Sequence, residues 1–556
     1  MQPLRPRTQP ASTPVLRNDG PFLIATVLWL LVMAMFRPLT VPDEGRYADV
    51  ARWMLVAHDW LTPRLNGLPF FHKPPLLYWI DASLFSVFGV SPQVARIAPV
   101  LAASLCCLGL FWFLRQRLGS TFARLSTLIL VTSTLFFGGA QYVNHDMLVG
   151  SGITLGILLF ADGVLTGRAT SYILAYLACG LAFISKGMIG LALPGLVLLP
   201  WFLFNKRWAQ FGQVLNPIGL IVLVAVVLPW FVLENQHYDH FFNYFFVVQE
   251  VQRFVTGGFN NKQPFWFYVA GVIVSFLPWL FMVPFKGIWQ RWVEVFGKEL
   301  TQLLVWWPIA IIGFFSIPQS KLIGYVIPAI SPIAVLLAGG VQRVEPSPLR
   351  RLAAPLFLLV MSALLLVAAA LHAGGLTPDA SQTLVLAMGL MLASALVLLV
   401  LVRKQAMHWL LGAALATALW CVSIVLVVGT ADPKNDSHDL AIAKFLTPGT
   451  EMVFYHHYYY DLPFLLNWPQ AVPVVEDWDN ITTDSWGLEL KDGCQFITVA
   501  DCKALHWDNA RLAQALHAGQ RLLILAPNST SVPGLERMPP VYRGRNFNAY
   551  LIPGQP

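Results

Sequence analysis

Residues 41–50 read VPDEGRYADV and follow the first long apolar run, 20–38. A chain leaving a bilayer needs little charge at such a place. Yet Asp43, Glu44, Arg46 and Asp49 fall within seven residues. The stretch also has a period. Tyr47, Val50, Ala51, Met54 and Leu55 recur at i, i+3, i+4, i+7 and i+8, which predicts an amphipathic helix. It is too short and too polar to span, so it is expected at the membrane interface with its apolar face on lipid or protein. Asp43 is placed at its N-cap, just after Pro42, where capping alone would account for an acid.

Composition explains why a membrane is in question at all. Of 556 residues, 56% are hydrophobic and 12% charged, against about 25% charged in soluble proteins. Most of the chain is expected in a bilayer. The net charge of +7 is spread thinly between apolar runs, which argues against a nucleic-acid partner. Cys106, Cys107, Cys179 and Cys421 sit in apolar runs and read as small buried residues. Cys494 and Cys502 lie in a polar region, where a disulfide forms if that region is extracytoplasmic. The polar N-terminal tail (Arg5, Arg7, Arg17) and the charge after the first run predict a retained anchor rather than a cleaved signal.

Spans need roughly 20 apolar residues. Thirteen candidates follow: 20–38, 93–114, 122–140, 147–165, 170–186, 188–204, 214–233, 265–285, 301–317, 322–340, 352–372, 382–402 and 408–429. With the N-terminus inside, alternate connections carry the bases: Arg115, Arg117 and Arg124; Arg168; Lys206 and Arg207; Lys286, Arg291 and Lys298; Arg343, Arg350 and Arg351; Arg403 and Lys404. The opposite set, beginning with 39–92, balances acids and bases. This division predicts a helical membrane part over 1–429 and a C-terminal region on the outer side. Over 430–556 the pattern changes to a soluble α/β domain. EMVFYH (451–456), CQFITVA (494–500) and RLLILAP (521–527) read as strands, and 508–518 as a helix. HHYYYD (456–461) reads as a tyrosine-rich strand end.

On this topology the outer side gathers ionisable groups. FFHKPPLLYW (70–79), QYVNHDM (141–147), QEVQRF (249–254) and PQSKLIGY (318–325) join the opening motif. Each group has an ordinary use. Asp146 can cap a helix, and Lys73 and Lys321 can anchor at an interface. Their convergence on one face suits a different purpose. Lys and Arg near a membrane surface suit a phosphate, facing carboxylates suit a sugar or acceptor, and an apolar groove suits a lipid tail.

VPDEGRYADVARWML, GLPFFHKPPLLYW and FFSIPQSKLIGYVIP, in that order, resemble the GT-C glycosyltransferases that use polyprenyl-phosphate sugars, a superfamily that includes protein O-mannosyltransferases. The closest resemblance is to bacterial lipid A 4-amino-4-deoxy-L-arabinose transferases. The resemblance implies a polytopic GT-C fold of about thirteen spans with a small periplasmic α/β domain, in the bacterial inner membrane. It implies Asp43, Glu44 and Asp146 as catalytic acids, and Arg46, Lys73, Arg253 and Lys321 as ligands of the donor phosphate. Tyr47, His72 and Tyr325 would line the cavity. His72 stands where those transferases often carry Glu, and Glu250 where they often carry His.

The implied partners are an undecaprenyl-phosphate sugar, lipid A or another periplasmic acceptor, and membrane lipid. The implied chemistry is a one-step inverting displacement that needs no cofactor; a divalent metal stays open, and no ligand set is assigned. Asp43 would act as general base towards a hydroxyl acceptor. A phosphate acceptor, with a second pKa of about 6, is already largely anionic, and Asp43 would then orient the sugar. Protein O-mannosylation and lipid or solute transport remain the alternatives. No acid or base stands mid-span in a relay across the membrane, which argues against transport.

Overall fold

The computed structural model describes residues 19–252, 261–342, 347–371, 378–403, 409–431, 437–481 and 486–554. Arg253 lies outside these residues, as do Arg5, Arg7, Arg17, Arg343 and Lys404. All thirteen expected spans fall on helices. Among the described residues, seven are long and apolar enough to cross a membrane unaided; Ser120–Thr132 with Thr134–Ala140, bent by 71°, make an eighth if counted as one span. Others are shorter, such as Gly20–Met33 and Ile189–Phe204. The expected span 265–285 is two pieces, Phe267–Ser275 and Trp279–Met282, because Pro278 cannot continue a helical ladder. The fold is that of a multi-pass helical membrane protein, with one apolar core running through its bundle.

The interfacial helix forms over Asp43–Val56. Two features of it differ from expectation. Pro42, not Asp43, occupies the N-cap, and Asp43 is the first helical residue. Nor does the helix float on lipid. Ala48, Val50, Ala51, Trp53 and Met54 are buried, and so are Asp49 and Arg52, which pair at 2.7 Å. An amphipathic stripe becomes a helix buried through its middle, Ala48–Met54, because protein covers its polar face too.

That cover is the C-terminal sheet domain, whose Asp461–Trp468 segment lies on the helix. Its six strands run in the order His506–Trp507, Val474–Val475, Glu451–Tyr455, Leu522–Pro527, Phe547–Ile552 and Tyr542–Arg543. The first four are parallel and the last two pair antiparallel. Side chains alternate along Glu451–Tyr455, as the pleat requires. Val453 and Tyr455 pack with Trp507 and Leu512 on one face. Met452 and Phe454 pack on the other, in a core that also holds Leu39, Ala48, Val50, Phe70 and Tyr78 from the first loop. CQFITVA is not a strand. It forms a 3₁₀ turn, Cys494–Phe496, and the start of a helix, Val499–Leu505, capped by Thr498. The Cys494–Cys502 disulfide holds the two Cα atoms 5.5 Å apart, far short of an extended eight-residue span. Asn509–His517 is helical and capped by Asp508.

Candidate active site under the C-terminal sheet

The motif DEGRY (43–47) turns successive side chains about 100° apart around one helix, and each enters a different environment. Glu44 is fully buried. Its carboxylate accepts from Arg96 Nε (3.0 Å) and Nη2 (3.1 Å), from both terminal nitrogens of Arg37, and from the backbone N–H groups of Thr40 (2.8 Å) and Val143 (3.0 Å). Burial alone would raise its pKa; Arg37 and Arg96 overcome this and hold the carboxyl at about 2. Glu44 therefore ties together four segments: the end of the first helix, the interfacial helix, the 141–143 turn and the next span. Expected as a catalytic acid, it is instead saturated by protein donors.

Asp43 points elsewhere. It pairs with Arg46 and accepts from the Tyr142 hydroxyl at 3.3 Å. Gly45 is a place of close approach: a Cβ there would stand 2.9 Å from Cβ and backbone N of Asp461, in the sheet domain. Arg46 then reaches across the same junction. Its guanidinium pairs with Asp43 on its own helix and with Glu489 of the short helix Trp486–Gly493. It lies 4.8 Å from the Tyr47 ring centre and 5.8 Å from that of Tyr460, a cation–π arrangement. Tyr460 donates to Glu489 at 2.8 Å. Burial pushes the Tyr47 hydroxyl up to about 12, with Arg46, Asp43, Lys186 and Glu489 all bearing on it.

Tyr47 joins this cluster to a second. Its ring meets His145 edge-on, with centroids 5.0 Å apart. The helix His145–Thr166 is capped by Asn144, not by Asp146. Asp146 is thus free of the capping role; it accepts from Asn144 Nδ2 at 3.1 Å and pairs with Lys186. Lys186 ends the helix Ala169–Lys186, with its ammonium 4.2 Å from the centre of the Tyr325 ring. Gly324 makes room for this: a Cβ there would stand 2.3 Å from Asp146 Oδ2. Lys73 and Lys186 both act electrostatically on His145.

A third group lies beside them. His72 Nε2 is 3.3 Å from Asp492 Oδ2, and Tyr244 donates to the same oxygen at 3.0 Å. Asp492 shares its helix with Glu489. The Glu250 carboxylate packs against Gly187, where a Cβ would meet Oε1 at 2.3 Å. Lys321 has different company. Its ammonium donates to the carbonyls of Gln263 (3.1 Å) and Pro318, beside a β-bridge between Lys262 and Ser320.

The structure thus brings together Asp43, Arg46, Tyr47, Asp146 and Tyr325, with His72 and Lys73 alongside. It sets Glu44 and Lys321 in structural networks. Sequence reasoning missed Lys186, Tyr460, Glu489 and Asp492. Lys186 carried a signal, a lysine between two apolar runs. The three residues of the sheet domain carried none, because their approach depends on packing across some 400 residues of chain.

A multi-pass bundle, a buried interfacial helix after the first span and a small sheet over the ionisable cluster define the fold of this membrane protein. The particular arrangement is the one found in ArnT from Cupriavidus metallidurans. The crystal structure of that protein bound to undecaprenyl phosphate matches with a TM-score of 0.81 and 23% identity, over 98% of this chain and 100% of the other. Its apo form matches with a TM-score of 0.81 and 24% identity, over 97% and 99%. In sequence, the undecaprenyl phosphate-alpha-4-amino-4-deoxy-L-arabinose arabinosyl transferase of Edwardsiella ictaluri is 34% identical over 57% of this chain and 58% of its own length. That of Enterobacter sp. (strain 638) is 33% identical over 58% and 59%. The matches thus span somewhat under three-fifths of these relatives. The family profile described as dolichyl-phosphate-mannose-protein mannosyltransferase matches residues 72–232.

Proposed function

We propose that this protein is an inverting glycosyltransferase. It moves 4-amino-4-deoxy-L-arabinose from undecaprenyl phosphate to a phosphate of lipid A, at the periplasmic face of the bacterial inner membrane. The observation that carries the reading is the joined pair of clusters, Asp43–Arg46–Glu489 and Asp146–Lys186, within a fold that in its crystallised counterpart is bound to undecaprenyl phosphate. The Cys494–Cys502 bond supports an extracytoplasmic place for 430–556. The membrane part, 1–429, supplies the cations assigned to the donor phosphate.

In this mechanism an acceptor phosphate oxygen attacks the anomeric carbon and forms the new C–O bond. The bond to the donor phosphate breaks, and undecaprenyl phosphate leaves with the electron pair. Lys186, Lys73 and Arg46 stand as preorganised cations for that growing charge, with Arg253 assigned the same role by its motif. Asp43 orients the sugar. Asp146 holds Lys186, and Glu44 holds the loops. Side chains alone suffice for these steps, so no cofactor is required by them.

The match of 72–232 to the protein mannosyltransferase profile favours one second reading, transfer to a protein hydroxyl. Mass spectrometry separates the two. Lipid A from cells carrying the gene is expected to gain a pentosamine, and lipid A from cells lacking it is not. A glycosylated peptide with unchanged lipid A would replace the first reading with the second.

A further inference from the structure

Arg46 has two carboxylate partners, and only one of them comes from its own helix. Asp43 lies one turn away; Glu489 arrives from the sheet domain. One guanidinium between two carboxylates leaves the set one negative charge in surplus. Each carboxylate has one further donor, the hydroxyl of Tyr142 on Asp43 and that of Tyr460 on Glu489. Each keeps lone pairs to spare, since a carboxylate has about four acceptor positions. Neither is sealed: the side chains of Asp43 and Glu489 are 27% and 17% exposed. Two of the cations assigned to the donor phosphate, Lys186 and Lys73, lie on the His145 side of Tyr47, where Asp146 pairs with Lys186.

Resting on the reading above, we propose that Glu489 is a specificity-determining residue: with Asp43 it recognises the cationic amino group of the donor sugar. An ammonium carries three donors and a charge that cancels the surplus. A hydroxyl at the same position carries one donor and no charge, and leaves both carboxylates competing for Arg46. The sheet domain thereby selects the sugar, while the membrane part binds the lipid phosphate.

The test uses the full-length protein in lipid with two donors, undecaprenyl-phosphate 4-amino-4-deoxy-L-arabinose and undecaprenyl-phosphate L-arabinose, and one acceptor. The neutral donor is also read as a competitive inhibitor, so that slow turnover does not hide its binding. Wild type is expected to prefer the aminated donor by at least about tenfold, as charge-assisted hydrogen bonds warrant. Glu489→Gln is expected to lose about tenfold in kcat/KM on the aminated donor and less than twofold in affinity for the neutral one. Its binding of sugar-free undecaprenyl phosphate should not change. Glu489→Asp should keep the preference. Equal losses on both donors, or lost binding of undecaprenyl phosphate, would show a structural residue and overturn the inference. Wild type that transfers the aminopentose beside a Glu489→Gln variant that still prefers it sinks this inference alone. Wild type that neither transfers nor binds either donor sinks the proposed function and this inference with it.

Discussion

Asp43 and Glu44 are neighbours of the same chemical type, and the structure gives them opposite duties. Glu44 bridges two buried guanidiniums. Glu44→Gln leaves Arg37 and Arg96 without their acid, and removing one partner from a buried network costs roughly 3–5 kcal/mol. The expected outcome is a large fall in melting temperature in detergent. Asp43→Asn should abolish transfer while leaving the melting temperature near wild type, because Asp43 is partly exposed and ties down no backbone. Acid should mimic the first change. The folded pKa of Glu44 is depressed to about 2 from an ordinary 4.5. Its stabilisation is complete above pH 4.5 and is lost as pH falls towards 2, by about 3 kcal/mol at about 1.36 kcal/mol per unit. A pH–stability profile that differs between wild type and Glu44→Gln over that window checks the sign. Lys186 belongs to the same level of argument. Lys186→Met removes a preorganised cation and strands Asp146, so kcat should fall roughly 10²-fold. Near-normal turnover in single-turnover assays would remove Lys186 from the mechanism.

Elements were legible where a strong period met a clear boundary. Apolar runs located the helices because a bilayer tolerates little else, and the 3.6-residue period of 43–55 located the interfacial helix. What the period could not say is what lies over a helix. Asp49 and Arg52 look like a polar face, and only the fold shows them paired in the dark against the carbonyl of Trp468. The misread CQFITVA fails for another reason: a disulfide overrides β-propensity. The same bond fixes the chain just after the helix that carries Glu489 and Asp492. Cys494→Ala with Cys502→Ala should therefore act at a distance. Loss of an eight-residue link is expected to cost about 2–3 kcal/mol locally, and Glu489 should lose its fixed approach to Arg46. Hydrogen exchange over 486–506 should rise and kcat/KM should drop, with the spans unaffected. Unchanged exchange there would mean that packing alone sets this helix.

At the level of the molecule, the C-terminal sheet region does not pack as an independent unit. Ala48, Val50, Phe70 and Tyr78 share one core with Met452, Phe454, Leu523 and Phe547. Asn66 exchanges two 2.8 Å hydrogen bonds with the backbone of Val472. Gly45 lets the chain at Asp461 lie directly against the interfacial helix. Composition could find the border but not the weld, because the partners are separated by most of the sequence. A chain ending at 431 would expose this apolar surface and strip Arg46 of Glu489. It should be unstable and inactive as purified. The joint is nonetheless non-covalent, so 1–431 and 432–556 produced together as two chains should co-purify and recover transfer. Full activity from 1–431 alone would mean that the sheet is dispensable for the chemistry, and that the Glu489 it lowers onto Arg46 is a bystander.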